Sequence, residues 1–287
     1  MKGLTFILAL ALLGAFPADA AYERQIIGSE QDHSVDAENG DCAHFYKTTF
    51  TNFTQQVADQ EQREITLTGV EPQLRVDATQ EGGVSIRGWN RPFVKMIVCR
   101  FAAANSRDQA MRVLGGINVS YKDGRVEALG PANDKTQAWW VNMTLYVPRG
   151  VYVDVRSGNG GVAIRNMNGR VKAHATTGGI SVVQSIGKYV ISTESGGITL
   201  DRINGRAEAF SELGSIALKI SNANSTPKIE ARTAQAYILC ALKNCDGGLG
   251  KWASGKKQLS IGAARPGPAD FLLTTTGSPI MIGAVTN

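Results

Sequence analysis

Three basic residues stand at one spacing: Arg170, Lys188 and Arg206, each directly after a glycine and each eighteen positions from the last. If the chain stacks at that period, they line one edge as a column of cations about 4.8 Å apart. Such a column has the chemistry to grip phosphate or uronate groups of an anionic polymer. The plainer reading is a charged, solvated turn that discourages stray strand pairing. Glu194 and Glu212 share the eighteen-residue spacing, and carboxylates that close would share a proton or a metal. They sit beside Ser195 and Leu213 before a glycine, Thr176 takes the third place, and ~4.8 Å is shorter than the ~5–5.5 or ~6.5–9.5 Å of paired glycosidase carboxylates. A solvated turn is the better reading of both.

Other chemistries fare worse. Nonapeptide calcium rolls need an Asp in every turn. Here that position holds Arg165, His174, Val183, Ser192, Asp201 and Phe210, so no calcium ladder is expected. The histidines, His33, His44 and His174, stand at no metal-binding spacing to one another, and no C-x₂-C pair offers zinc. Ser185-x-x-Lys188 lacks the partner motifs of serine acyl transferases, and no G-x-S-x-G elbow exists. Gly250 to Lys256 nearly spells a phosphate loop, but Lys257 stands where Ser or Thr must hold magnesium. No catalytic residue, metal or cofactor is assigned. Trp139 and Trp140 are adjacent and so face opposite sides of a strand, one toward a core and the other toward an edge or an exposed, sugar-stacking position.

The elements that must position the column follow from glycine. It recurs every ninth residue, at Gly160, Gly169, Gly178, Gly187, Gly196, Gly205 and Gly214. Two and four positions beyond each lie mostly Val, Ile, Leu or Ala, with small or polar residues between. This is the period-2 alternation of short strands separated by glycine turns. A helix would lose about 1 kcal/mol at each interior glycine. Gly-Gly opens at 160, 178 and 196, whereas Asn-Gly-Arg marks 168–170 and 204–206, so the full period is eighteen. The expected fold is an all-β, parallel β-solenoid or β-roll with eighteen-residue coils of two nine-residue half-coils, stacked to share one core.

The flanks read as β-rich but irregular. Glu64–Val70, Leu74–Ala78 and Gly83–Ile86 alternate, and Ile117–Leu129 reads as a hairpin turning at Lys122-Asp123-Gly124. Trp139–Val147 and Val151–Val155 read as strands about Pro148-Arg149-Gly150, and Ser106–Leu114 as the single helix, stopped by Gly115-Gly116. Beyond Ile220 the glycine period lapses. Ile229–Leu239 and Phe271–Ile282 read as strands, the latter as a last coil, with 247–257 a loop between them. The division expected is 1–20 signal peptide, 21–62 N-terminal extension and 63–287 one elongated domain, with regular coils over 147–220 and irregular ones over 221–287.

Lys2, the apolar run Leu4–Phe16 and the small-residue site at Pro17–Ala20 read as an export signal too short to span a bilayer. A net charge of +5 on 287 residues falls short of the clustered charge that binds nucleic acid, and no second long apolar run suggests a membrane span. Four cysteines in an exported chain read as two disulfides with three connectivities. The favoured pairs are Cys240–Cys245, stapling a tight turn, and Cys42–Cys99.

Val147-Pro148-Arg149-Gly150-Val151, then Arg156-Ser157-Gly158-Asn159-Gly160-Gly161-Val162 and the repeated Thr/Ser-Gly-Gly-Ile, resemble the bacterial putative-adhesin family of β-strand-repeat domains. The resemblance covers Ile65 to Ile282 and is tightest over 147–218. It implies a β-solenoid in the cell envelope or outside the cell and brings no agreed catalytic residues. The N-terminal segment and the Cys240–Cys245 insertion stand outside the shared pattern. The functional expectation is an exported, non-enzymatic protein of the periplasm, cell surface or medium that presents a surface for adhesion, scaffolding or binding. Its partner would be an anionic envelope polymer or glycan, an envelope protein, or a second copy joined end to end. The competing class is a polysaccharide-acting enzyme on a β-helix scaffold.

Overall fold

The computed structural model describes residues 24–26, 48–50, 53–67, 73–78, 82–220, 228–242, 253–261 and 267–284. Strands β1 (Arg24–Ile26) and β2 (Thr48–Phe50) form a separate antiparallel pair. All other described strands belong to one sheet that curls around a shared core. Among the described residues no helix is long and apolar enough to cross a membrane.

The sheet begins with β3 (Gln55–Ile65), β4 (Gln73–Asp77), β5 (Val84–Trp89) and β6 (Val94–Ala104). β3 pairs with β6 antiparallel along its whole length, so ordered strand runs through the expected boundary at residue 62. Helix α1 (Arg107–Gly115) follows. The Ser106 side chain caps it, accepting from the Gln109 amide at 3.3 Å, and Val113 and Leu114 face the core. Next, β7 (Asn118–Lys122) and β8 (Arg125–Leu129) form the expected hairpin about Asp123 and Gly124, whose φ values are 50° and 75°. β9 (Gln137–Pro148) then pairs antiparallel with β6 and parallel with β5. Trp139 and Trp140 do face opposite sides, yet both are buried. Trp139 enters the main core, while Trp140 stacks on Phe101, centroids 4.9 Å apart, in a second cluster.

The regular part comprises β10 (Tyr152–Ser157), β11 (Val162–Arg165), β12 (Asn168–Ala175), β13 (Ile180–Thr193), β14 (Ile198–Ser211) and β15 (Ile216–Ile220). Its pairings are parallel: Val153 meets Val171, then Tyr189, then Ala207, and Val162 meets Ile180, Ile198 and Ile216. These side chains point inward and are buried, each aliphatic one contributing roughly 1.5–3 kcal/mol.

The nine-residue step predicts a turn at every glycine, and here the structure differs. Turns occur at Gly160, Gly178, Gly196 and Gly214, but Gly169, Gly187 and Gly205 lie inside strands. β13 and β14 bend there, with φ of 136° at Gly187 and 126° at Gly205, a region that favours glycine. Sharper corners fall at Asn166, Gln184 and Arg202, all left-handed. Buried hydroxyls hold the turns at Gly196 and Gly214. Thr193 Oγ1 accepts from the Gly196 amide at 3.0 Å and donates to the Gly178 carbonyl at 3.1 Å; Ser211 repeats this with Gly214 and Gly196 at 2.9 and 3.0 Å.

The C-terminal order is the main surprise. It comprises β16 (Ile229–Thr233), β17 (Ile238–Cys240), β18 (Ala253–Lys256), β19 (Gln258–Ile261), β20 (Phe271–Thr275) and β21 (Ile280–Ala284). The expected strand Ile229–Leu239 is thus two strands, and part of the expected 247–257 loop is β18. Phe271–Ala284 does not end the stack. β20 pairs with β14 on one side and β16 on the other, and β21 likewise lies between β15 and β17. β19 and β18 fold back antiparallel on β16 and β17. β16 and β17 thus have one side covered by the returning β19 and β18 and the other by β20 and β21, so Phe271–Ala284 stands inside the stack. Antiparallel strands thus flank both ends, with polar β3 outermost at the other, a way of blunting pairing edges.

Two outcomes are expected from this packing. A Cβ on Gly196 would overlap the Gly178 carbonyl, whereas one on Gly115 meets nothing within 4 Å. Gly196→Ala should therefore cost about 1–3 kcal/mol or more and Gly115→Ala less than ~1 kcal/mol; urea unfolding compares them, and equal effects would dismiss the glycine contact. Tyr189 is 1% exposed and donates to the Ile186 carbonyl at 2.9 Å, and burial pushes its phenol up to about 12. A folded pKa above the unfolded ~10 means that its stabilisation is full below that pH and fades as pH rises toward about 12, by up to ~1.4 kcal/mol per pH unit. Tyr189→Phe should flatten that alkaline loss in pH-dependent denaturation; an unchanged profile would refute it.

Candidate functional site

Parallel register brings the column together. Arg170 pairs with Lys188 on β13, and Lys188 with Arg206 on β14. Alternation sets their direction, because Val171, Tyr189 and Ala207 point into the core and the residues before them must point out. Arg170 and Lys188 are exposed and Arg206 is half-buried. None of the three has an acidic side chain within 4.0 Å among the described residues.

The surface around the column extends it. Lys172 lies two residues beyond Arg170 on the same face and is exposed. Tyr152 pairs with Gln73 and sits one layer before Arg170, whose guanidinium lies 5.9 Å from the Tyr152 ring centroid. Arg156 is exposed beside His174, whose Nδ1 lies 3.0 Å from Ser192 Oγ. The column ends at Asp270: the Ala207 amide donates to its carbonyl at 2.8 Å, and its carboxylate accepts from the Lys228 amide at 2.9 Å. Toward the N-terminal end the cations are paired instead, Arg75 with buried Asp154 at 3.7 Å and Arg125 with Asp77 at 2.7 Å. Lys172, Tyr152 and Arg156 are not among the site residues expected from sequence. Their signals are present: Lys172 at the two-residue step, Tyr152 eighteen before Arg170, Arg156 eighteen before His174.

The remaining sequence candidates build no site among the described residues. Glu194 and Glu212 are both exposed at successive turns, where the Glu212 amide donates to the Thr193 carbonyl at 3.1 Å. Ser185 is fully buried, donating to the Val183 carbonyl at 2.8 Å and accepting from the Met167 amide at 3.2 Å, while Lys188 points to solvent. That serine supports the corner and forms no dyad. Cys99 and Cys240 are 2% exposed; Cys42 and Cys245, their expected partners, lie outside the described residues, as do His33, His44, the export signal and Gly250. Among the described residues no group of three His, Cys, Asp or Glu side chains converges as for a metal.

No family model matches the chain, and no curated protein matches it. Two solved structures resemble it. One is a putative cell adhesion protein from Clostridium sporogenes, 11% identical, with 79% of this chain and 99% of that one covered at a TM-score of 0.32. The other is a putative adhesin from Bacteroides fragilis, 12% identical, with coverage of 79% and 97% at the same score. At such identity and score neither neighbour decides what this chain does.

Like charges one strand apart repel by up to about 1 kcal/mol per pair even in water. The Arg170→Ser, Lys188→Ser, Arg206→Ser triple variant should therefore melt at or above the parent's temperature at low ionic strength, with the difference shrinking as salt is added. A lower melting temperature would mean that the three side chains stabilise the fold.

Proposed function

We propose that the chain is an exported, non-enzymatic β-solenoid that presents Arg170, Lys188 and Arg206, with Lys172 beside them, to an anionic glycan of the bacterial envelope. The observation that carries this is the column itself: three cations in adjacent register, turned to solvent and without an acidic partner among the described residues. Their mutual repulsion costs the fold something, and a polyanion with charges at a similar repeat would relieve it. Parallel pairs eighteen residues apart support reading the stack as a solenoid with coils of that length. The pattern Lys2, Leu4–Phe16, Pro17–Ala20 supports export. Neither Cys99 nor Cys240 is a free thiol, which supports the pairs Cys42–Cys99 and Cys240–Cys245. The flanking antiparallel strands speak against end-to-end joining.

Retention on an immobilised uronate polymer tests the reading. The triple serine variant should bind roughly tenfold more weakly than the parent, as expected for losing three exposed charge contacts, and its affinity should fall less steeply with added salt. Retention equal to the parent's across the salt range would overturn the assignment.

A further inference from the structure

Between the β7–β8 hairpin and β4 lies a cavity of about 490 Å³, whose lining includes Gln73, Ser120 and the charged residues Arg75, Lys122, Asp123, Arg125 and Glu127. Its place matters. Gln73 pairs with Tyr152, and Tyr152 precedes Arg170 in the column, so the cavity opens at the head of the cation row. Its chemistry differs from that of the row. Arg75 is held by Asp154 and Arg125 by Asp77 and Glu127, at 3.7, 2.7 and 3.1 Å. Lys122 has no acidic partner among the described residues and, with the Gln73 amide, can receive a carboxylate. Glu127 and Ser120 can accept from hydroxyls. A bare phosphate chain would meet Asp123 and Glu127 there with no hydroxyl to offer them and be repelled, whereas a hydroxylated ring bearing one carboxylate finds both donors and acceptors. The volume lies within the ~300–1,000 Å³ typical of small-ligand sites.

We infer that this cavity is an end subsite that takes the terminal uronic acid unit of an anionic polysaccharide, the rest of which runs over Tyr152, Arg170, Lys188 and Arg206. The inference rests on the column being the binding surface proposed above, and the probes separate the two. A uronic acid disaccharide reaches from Gln73 no farther than Arg170, two strand spacings or ~10 Å away, and misses Lys188 and Arg206; inorganic polyphosphate is the second probe. Calorimetric titration compares the full-length parent, Gln73→Ala with Lys122→Ala, Lys122→Ala alone, and the triple serine variant. All the substituted groups but Arg206 are exposed.

The disaccharide should weaken about twofold or less in the triple variant, which costs it Arg170 alone, and about tenfold in the cavity double variant, the single Lys122→Ala variant falling between. Polyphosphate should weaken in the triple variant and change less than about twofold in the cavity variants. A parent that ignores the disaccharide, or cavity variants that weaken both probes equally, would overturn the end subsite. Unchanged polyphosphate binding in the triple variant would instead remove the column and with it the extended path, even where the disaccharide still needs the cavity.

Discussion

Where successive layers meet at Gly160, Gly178, Gly196 and Gly214, backbone lies on backbone: a Cβ on any of them would overlap the carbonyl of the glycine a layer away. A second line of the same contact runs through Gly169, Gly187 and Gly205. The backbones lie too close there for a methyl group, so the chain returns to glycine at each pass from Gly160 to Gly214; beyond that Ser278 and Ala236 take the place. Register follows from this. A one-residue slip would drive a side chain into a carbonyl and turn every inward Val, Ile and Leu outward. The hydroxyls of Thr193 and Ser211 tie each turn to the layer before it. The cation column inherits the constraint, because Lys188 and Arg206 immediately follow glycines that cannot move.

Magnitudes explain how the fold tolerates that column. Adjacent cations cost up to about 1 kcal/mol per pair in water, while each buried aliphatic side chain of the inner rows contributes roughly 1.5–3 kcal/mol. Several such side chains stand behind each layer. The core therefore absorbs a repulsive outer row without a compensating acid. At Arg75 and Arg125 the compensation is present, through Asp154 and Asp77. The same sheet thus carries neutralised cations at one place and uncompensated ones two layers on.

The parallel eighteen-residue register, the Ser106-capped helix and the Asp123-Gly124 hairpin were legible in the sequence because local physics dictates each of them. Glycine is compelled by close approach, Ser106 by unsatisfied helix amides, and Asp123-Gly124 by positive φ. The column was legible for the same reason, since Arg170, Lys188 and Arg206 ride on that period. Spatial order was not. Ile229 and Ala231 present the same inward pattern as Phe271 and Leu273, so burial alone does not say which lies beside β14. That depends on the reversal of β18 and β19, and Ala253–Lys256 carries no strand-like alternation to announce it. The cavity was equally hidden, because it joins the β7–β8 hairpin to β4 across some fifty residues whose charges look unremarkable in a row.

The placement of Phe271–Ala284 also governs time. It is made after every element it touches, yet it fills a place between β14–β15 and β16–β17. Until residue 284 has been synthesised, Ala207–Ser211 of β14 is paired with β13 on one side only, and the outer edge of Ala207–Ile220 stays open. The molecule cannot zip shut vectorially from its first residue. Its closure waits for Phe271–Ala284, and the outer edge of β14 and β15 stays available for pairing until that segment arrives.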